Sequence, residues 1–459
     1  MFRKKAIDEW ALDYWLLQRY AKLCFRIYYR KIEIVNFRKI PRHKPVILAP
    51  NHQNALMDAM TLVCNMPFQS VFMARADIFK GKRLTNFLTF MNIMPIYRIR
   101  DGIENVKRND EVFAKTTAVL NNARNPLVLF PEGNHGDRRR LRPLVKGLFR
   151  IALLAQEESG IIPAVKIVPI GIDYGHYEHF RDTLFVNIGE PIDVSDFHEE
   201  YRANPVNAIN HLKEVFAEAL GKLIINIRTE EYYALYMHLR DIFNEEMRKV
   251  LEIKTEKLTA KFEADKAMID HLDRALESHP EKIRQLNNLV LPYMADLQKN
   301  RLRDWVLSKG SFSVTALVLS ALLKLFLAPV FLFGFINNIL PYWFSASRVR
   351  KIEDRQFHSS FKYVIGMLMF PLWYLVIAGI LAILSQPAWF IILYIFLLPL
   401  AGLAAFHYYI GLRKLIAQIR YTFRKDSPGL VKLLNTRKRI ISVMHDIIGV
   451  TVTTHENPR

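Results

Sequence analysis

Two uninterrupted apolar runs near the carboxyl end limit this chain more than any other feature. "VIGMLMFPLWYLVIAGILAIL" (364–384) and "AWFIILYIFLLPLAGLAAFHYYIG" (388–411) each exceed the roughly 20 residues a membrane span needs. The link between them, Ser385-Gln386-Pro387, carries no charge. Arg348, Arg350, Lys351, Arg355 and Lys362 precede the pair, and Arg413, Lys414 and Arg420 follow it. The positive-inside bias therefore puts both ends of the pair on the cytoplasmic side. A third apolar stretch, 312–344, holds Lys324, Pro329, Gly334, Asn337 and Asn338, with Lys309 before it and Arg348 after it. Basic residues at both ends favour a re-entrant or hairpin segment there. The tail, 413–459, reads as a basic helical segment on the cytoplasmic face.

The membrane region takes up only the last third of the chain. Residues 31–225 alternate short β-rich runs with helical stretches. Strands are expected at Ile32–Val35, Val46–Ala49, Ser70–Met73, Leu127–Phe130, Lys166–Ile170 and Leu184–Ile188, with helices including 55–65 and 105–122. This alternation predicts an α/β domain with a largely parallel sheet flanked by helices. Residues 226–310 read as a helical spacer broken near Pro280 and Pro292, and 1–30 as an amphipathic helix. In that first segment Trp10, Tyr14, Trp15, Tyr20, Phe25, Tyr28 and Tyr29 interleave with Arg and Lys. Such a mixture suits a bilayer headgroup layer; docking on the protein's own core is the competing reading.

Charge and cysteine content narrow the partners. The formal net charge is +20, which points to an anionic partner. The basic residues cluster beside the apolar runs, as membrane electrostatics would place them, and this argues against nucleic acid. Cys24 and Cys64 lie in apolar contexts without metal-ligand spacing, so a reducing compartment is expected. Asp8, Glu9 and Asp13 interrupt any apolar core of a cleavable signal after "MFRKK".

Four blocks carry the chemistry. The first is "APNHQNALMDAM" (49–60), where a buried strand ends at Pro50 and a helix follows. His52 and Asp58 then flank a strand-to-helix turn, the place where open α/β sheets bind ligands. Asn54 is the expected helix cap. The second is "MPIYRIRDG", with Arg98 and Arg100. The third, "LVLFPEGNHGDRRRLRPLVKG" (127–147), again sets a polar turn at a strand end, Glu132-Gly133-Asn134-His135. Arg138, Arg139, Arg140, Arg142 and Lys146 follow and make the cleft a phosphate-binding candidate. The fourth is "KIVPIGIDYG" (166–175).

In this order the four blocks resemble the glycerolipid acyltransferases, which include lysophosphatidate and glycerol-3-phosphate acyltransferases. The resemblance covers roughly residues 30–200. It implies that His52 is the general base and Asp58 its partner. It further implies that Asn51, Arg98, Arg100, Glu132, Gly133, Asn134, His135, Arg138 and Lys146 line the substrate site. Two departures stand out. Five residues separate His52 from Asp58 where the family usually has four, which resembles a subset of eukaryotic glycerol-3-phosphate acyltransferases. Asn134 stands where the family commonly has Thr or Ser.

The expected reaction moves a fatty acyl group from a thioester, on acyl-CoA or acyl-carrier protein, to a glycerol phosphate hydroxyl. It needs an imidazole base and a carboxylate to orient it, and neither a cofactor nor a metal. The acceptor favoured is lysophosphatidate, with glycerol 3-phosphate as the alternative. A non-catalytic lipid-binding protein on the same fold is the remaining one. His176 and His179 have near-metal spacing but no evident third ligand, and read as surface residues.

Overall fold

The computed structural model describes residue 7 and residues 9–96, 109–159 and 163–449. Arg98 and Arg100 lie outside the described residues. The chain divides into two compact units: 1–226 with 349–367, and 227–348 with 368–459.

The first unit is built on one sheet. In chain order its elements are α1 (Leu12–Tyr28), β1 (Lys31–Val35), β2 (Val46–Pro50), α2 (Leu56–Asn65), β3 (Val71–Arg75), α3 (Lys82–Phe90) and β4 (Ile93–Ile96). Then come α4 (Asn109–Asn121), β5 (Leu127–Val128), α5 (Gly147–Ser159), β6 (Lys166–Tyr174), β7 (Thr183–Ile188), β8 (Ile192–Asp193), α6 (His198–Ala203) and α7 (Pro205–Leu223). The strand order is β1-β7-β6-β2-β5-β3-β4, with β8 pairing β6. Only the β6/β7 and β6/β8 pairs are antiparallel. Two strands were not foreseen, β4 and β8. Pro95 within β4 sits on an edge strand, where the lost N–H donor is tolerated.

Continuous apolar runs put successive side chains on both faces of the sheet. From β2, Ile47 and Ala49 join one buried cluster with Leu148, Ala152, Leu212 and Phe216 of α5 and α7. Val46 and Leu48 join a second with Phe25 and Tyr28 of α1 and Met57 of α2. A sheet covered on both faces accounts for the absence of alternation in β2. The first helix is thus docked on the core: Tyr14, Ala21, Phe25 and Tyr28 are buried, while Leu12, Leu16 and Leu23 remain exposed on its other side. The segment from 349 to 367 completes the same unit, with the Tyr363 hydroxyl donating to the Ala21 carbonyl at 2.7 Å.

The second unit is helical. It contains α8 (Tyr233–Ile242), α9 (Asn244–Val250), α10 (Leu258–Ser278), α11 (Pro280–Lys299), α12 (Asp304–Lys309) and α16 (Pro428–Ile448), together with most of three long apolar helices. These are α13 (Val314–Val349), α14 (His358–Ile383) and α15 (Ala388–Arg424). All three are long and apolar enough to cross a membrane. Helix α13 corrects the hairpin expected at 312–344: it runs without a turn through Pro329 and Pro341. Within this group the Asn338 amide donates to Gly334 and Leu398 carbonyls at 2.9 and 3.2 Å and accepts from the Tyr374 hydroxyl at 2.6 Å. Polar contacts of this kind hold apolar helices together where hydrocarbon supplies no driving force. Among the polar helices, buried Asp265 takes Arg240 at 2.8 Å and the Asn244 amide at 2.7 Å.

Candidate active site

His52 and Asp58 meet. The turn after β2 brings His52 Nδ1 to 2.8 Å from Asp58 Oδ2. The same oxygen accepts the backbone N–H groups of Gln53 and Asn54 at 2.8 and 2.7 Å, and Oδ1 accepts the Tyr174 hydroxyl at 2.7 Å. Four donors therefore converge on one fully buried carboxylate. A carboxylate can only accept, so the imidazole carries its proton on Nδ1 and leaves Nε2 as the basic nitrogen. Burial first, and the Asp58 charge next, hold the Tyr174 phenol well above its usual range, so it stays a donor.

The turn between His52 and Asp58 holds one unusual backbone position. Ala55, not Asn54, precedes the first helical residue, and its φ of 43° with ψ of −123° lies in a region that favours glycine. The expected Asn54 cap is corrected accordingly. The Asn54 backbone N–H is taken by Asp58, and its buried side chain has no partner among the described residues.

The Phe-Pro-Glu-Gly turn grips His52 by its backbone. Glu132 Oε1 accepts the His52 N–H at 3.0 Å, and Glu132 Oε2 accepts Arg142 Nε at 2.7 Å. Arg142 donates onward to the His52 carbonyl at 3.2 Å and to the Asn134 carbonyl, and the Gly136 N–H also reaches the His52 carbonyl. Burial pushes the Glu132 carboxyl up, against the opposing pull of Arg142 and the His52 N–H. Gly133 has φ +62°, and a Cβ there would lie 2.9 Å from Val145. The turn thus fixes the catalytic strand end, and both Glu132 oxygens are occupied in doing so. Phe130 stacks on the imidazole at 4.1 Å between centroids, and His135 approaches it edge-on at 5.5 Å.

The remaining predicted residues divide by location. Asn51 is buried and bridges the Ile172 backbone, donating to its carbonyl and accepting its N–H, which ties β2 to β6. Asn134, Arg138 and Lys146 lie exposed on the loop that follows the Glu132 turn. The arginines at 138–142 are not one cluster. Arg139 is 2% exposed and engages Asp173 and the Tyr174 and Gly175 carbonyls, while Arg142 serves Glu132. Sequence reasoning missed Tyr174 and the ordering role of Arg142. Tyr174 ends β6, and continuing the expected strand four residues past Ile170 would have placed it beside the turn.

These elements have counterparts in known proteins. Residues 31–173 match the family model described as Acyltransferase. That match covers about a third of the chain and takes in the His52 turn and the Glu132 turn. Two curated Saccharomyces cerevisiae proteins resemble this chain, glycerol-3-phosphate O-acyltransferases 1 and 2. They are 24% and 26% identical over 40% and 42% of this chain, in each case over 24% of the relative. The chain spans about a quarter of the length of these curated relatives. The solved 1-acyl-sn-glycerophosphate acyltransferase PlsC of Thermotoga maritima aligns at 16% identity and a TM-score of 0.33. That alignment covers 46% of this chain and 79% of that one. The matched segment, 31–173, includes His52, Asp58, Glu132 and Asp173.

Proposed function

We propose that this chain is a membrane-bound glycerolipid acyltransferase that moves a fatty acyl group from a thioester to the hydroxyl of a glycerol phosphate. The observation that carries the reading is the His52–Asp58 contact at the end of β2. His52 Nε2 removes the acceptor hydroxyl proton as that oxygen attacks the thioester carbonyl. Asp58 stabilises the resulting imidazolium, and the proton leaves with the thiolate. The donor is acyl-CoA or acyl-carrier protein. No covalent enzyme intermediate is required.

Arg98, Arg100, Arg138 and Lys146 are the basic groups that the resemblance assigns to the acceptor phosphate, while Arg142 orders the Glu132 turn. Lysophosphatidate remains the first acceptor by motif. The names of the yeast relatives, together with the longer His52–Asp58 spacing, support glycerol 3-phosphate as the second reading. Purified protein given radiolabelled acyl-CoA and a panel of acceptors tests both. Transfer to a phosphorylated acceptor and poor transfer to monoacylglycerol is the expected result; equal use of monoacylglycerol would remove the phosphate from the mechanism.

A further inference from the structure

The loop between β6 and β7 brings together three groups that the acyl-transfer reading leaves without a task. His176 Nδ1 lies 2.9 Å and His179 Nδ1 3.7 Å from one oxygen of Asp182, Oδ2. One ligand atom from each of the three residues lies within 4.8 Å of the others. Four ligands tetrahedrally disposed about 2.0–2.1 Å from a zinc ion are separated by about 3.3–3.4 Å. The two measured separations bracket that value. The third ligand, absent from the sequence reading of His176 and His179, is supplied by the backbone reversal that carries the chain into β7.

The aspartate is also held in place for such a role. Its other oxygen, Oδ1, accepts the Thr183 N–H at 2.7 Å, which turns Oδ2 toward both imidazoles. Gly175 makes the approach possible, because a Cβ there would lie 2.1 Å from Asp182 Oδ1. Hydrogen bonds that orient a ligating group from behind are the usual support of a metal site. The neighbouring cation is directed elsewhere: the Arg181 guanidinium donates to the Ile27 and Tyr29 carbonyls. The loop matters to the reaction centre. Tyr177, between the two histidines, donates to Gln53 Oε1 at 2.6 Å, and Arg139 lies over its ring.

We propose that His176, His179 and Asp182 bind a divalent first-row transition ion, with zinc the best match to two imidazoles and one carboxylate. The ion closes the β6–β7 loop and leaves one coordination position for water. Hard cations such as magnesium, which prefer oxygen ligands, are poor occupants.

Isothermal titration of the detergent-solubilised full chain with zinc chloride, at neutral pH where imidazoles are free to ligate, tests this. Both histidines are more than half exposed, so replacing them leaves the core untouched. One zinc equivalent is expected, with His176→Ala, His179→Ala and Asp182→Asn each weakening it at least about tenfold. Zinc is also expected to raise the thermal midpoint of the parent and not of His179→Ala, while magnesium does neither. Zinc affinity and midpoint shift that are the same in parent and all three variants would overturn the site.

Discussion

Asp58 orders two backbone amides, an imidazole and a phenol at once, so its replacement is not a local event. Asp58→Asn must turn an amide N–H₂ toward some of four donors, and acyl transfer is expected to fall about as far as in His52→Ala. For His52→Ala the loss should be at least about 10²-fold in turnover, with the thermal midpoint unchanged. Near-normal turnover in either purified variant would contradict the roles given to this pair. A second residue-scale effect concerns His135. Burial, ahead of the nearby charges, lowers its pKa below 6.5. The unfolded chain then takes up a proton before the folded one as pH falls. The stability it supports is whole above pH 6.5 and declines below it. His135→Gln should flatten the fall of the thermal midpoint as pH drops below about 6.5; an unaltered slope would show that other groups set it. At this scale the sequence exposed His52 and Asp58 because one turn holds both. Tyr174 stayed hidden because it arrives from 116 residues further along the chain.

At the scale of elements, the wide turn between β2 and α2 stores its cost in Ala55. A non-glycine residue in such a backbone conformation costs on the order of 1–3 kcal/mol. Ala55→Gly should therefore raise stability by about 1 kcal/mol, measured by thermal unfolding, and keep the 2.8 Å His52–Asp58 contact and activity. A destabilised Ala55→Gly would mean that its buried methyl group matters more than the strain. The need for a wider turn could be read from the spacing, but the unusual backbone position within it could not. Residue 55 offers no glycine to mark it. Strands buried on both faces, such as β2 and β6, were legible as unbroken apolar runs, whereas the two-residue β8 gives no pattern at all. The five-donor guanidinium of Arg139, read from its place in an Arg-Arg-Arg run as part of a phosphate-binding cleft, is instead buried by contacts made across 34 to 36 residues.

At the scale of the molecule, the first unit draws on chain both before 226 and after 349. Both parts are expected on one side of a membrane, which calls for an even number of crossings in the chain between them. That stretch holds one long apolar helix, α13, which on this count is expected not to span. Helices α14 and α15 are expected to form the crossing pair, with Ser385 on the far side. In a Cys24→Ser background, Ser311→Cys, Lys351→Cys and Glu199→Cys should react with an impermeant thiol reagent from one side and Ser385→Cys from the other. Opposite sidedness of positions 311 and 351 would make α13 a span.

The closing segment of the first unit also sets a clock. Its last part, 349–367, is made only after residues 227–348, at roughly 5–20 residues per second. For some 6–25 s the nascent sheet domain waits on the ribosome without the strip that covers Phe25 and Tyr28. During that interval Phe25 and Tyr28 of α1 lack the ring that later packs edge-on against both.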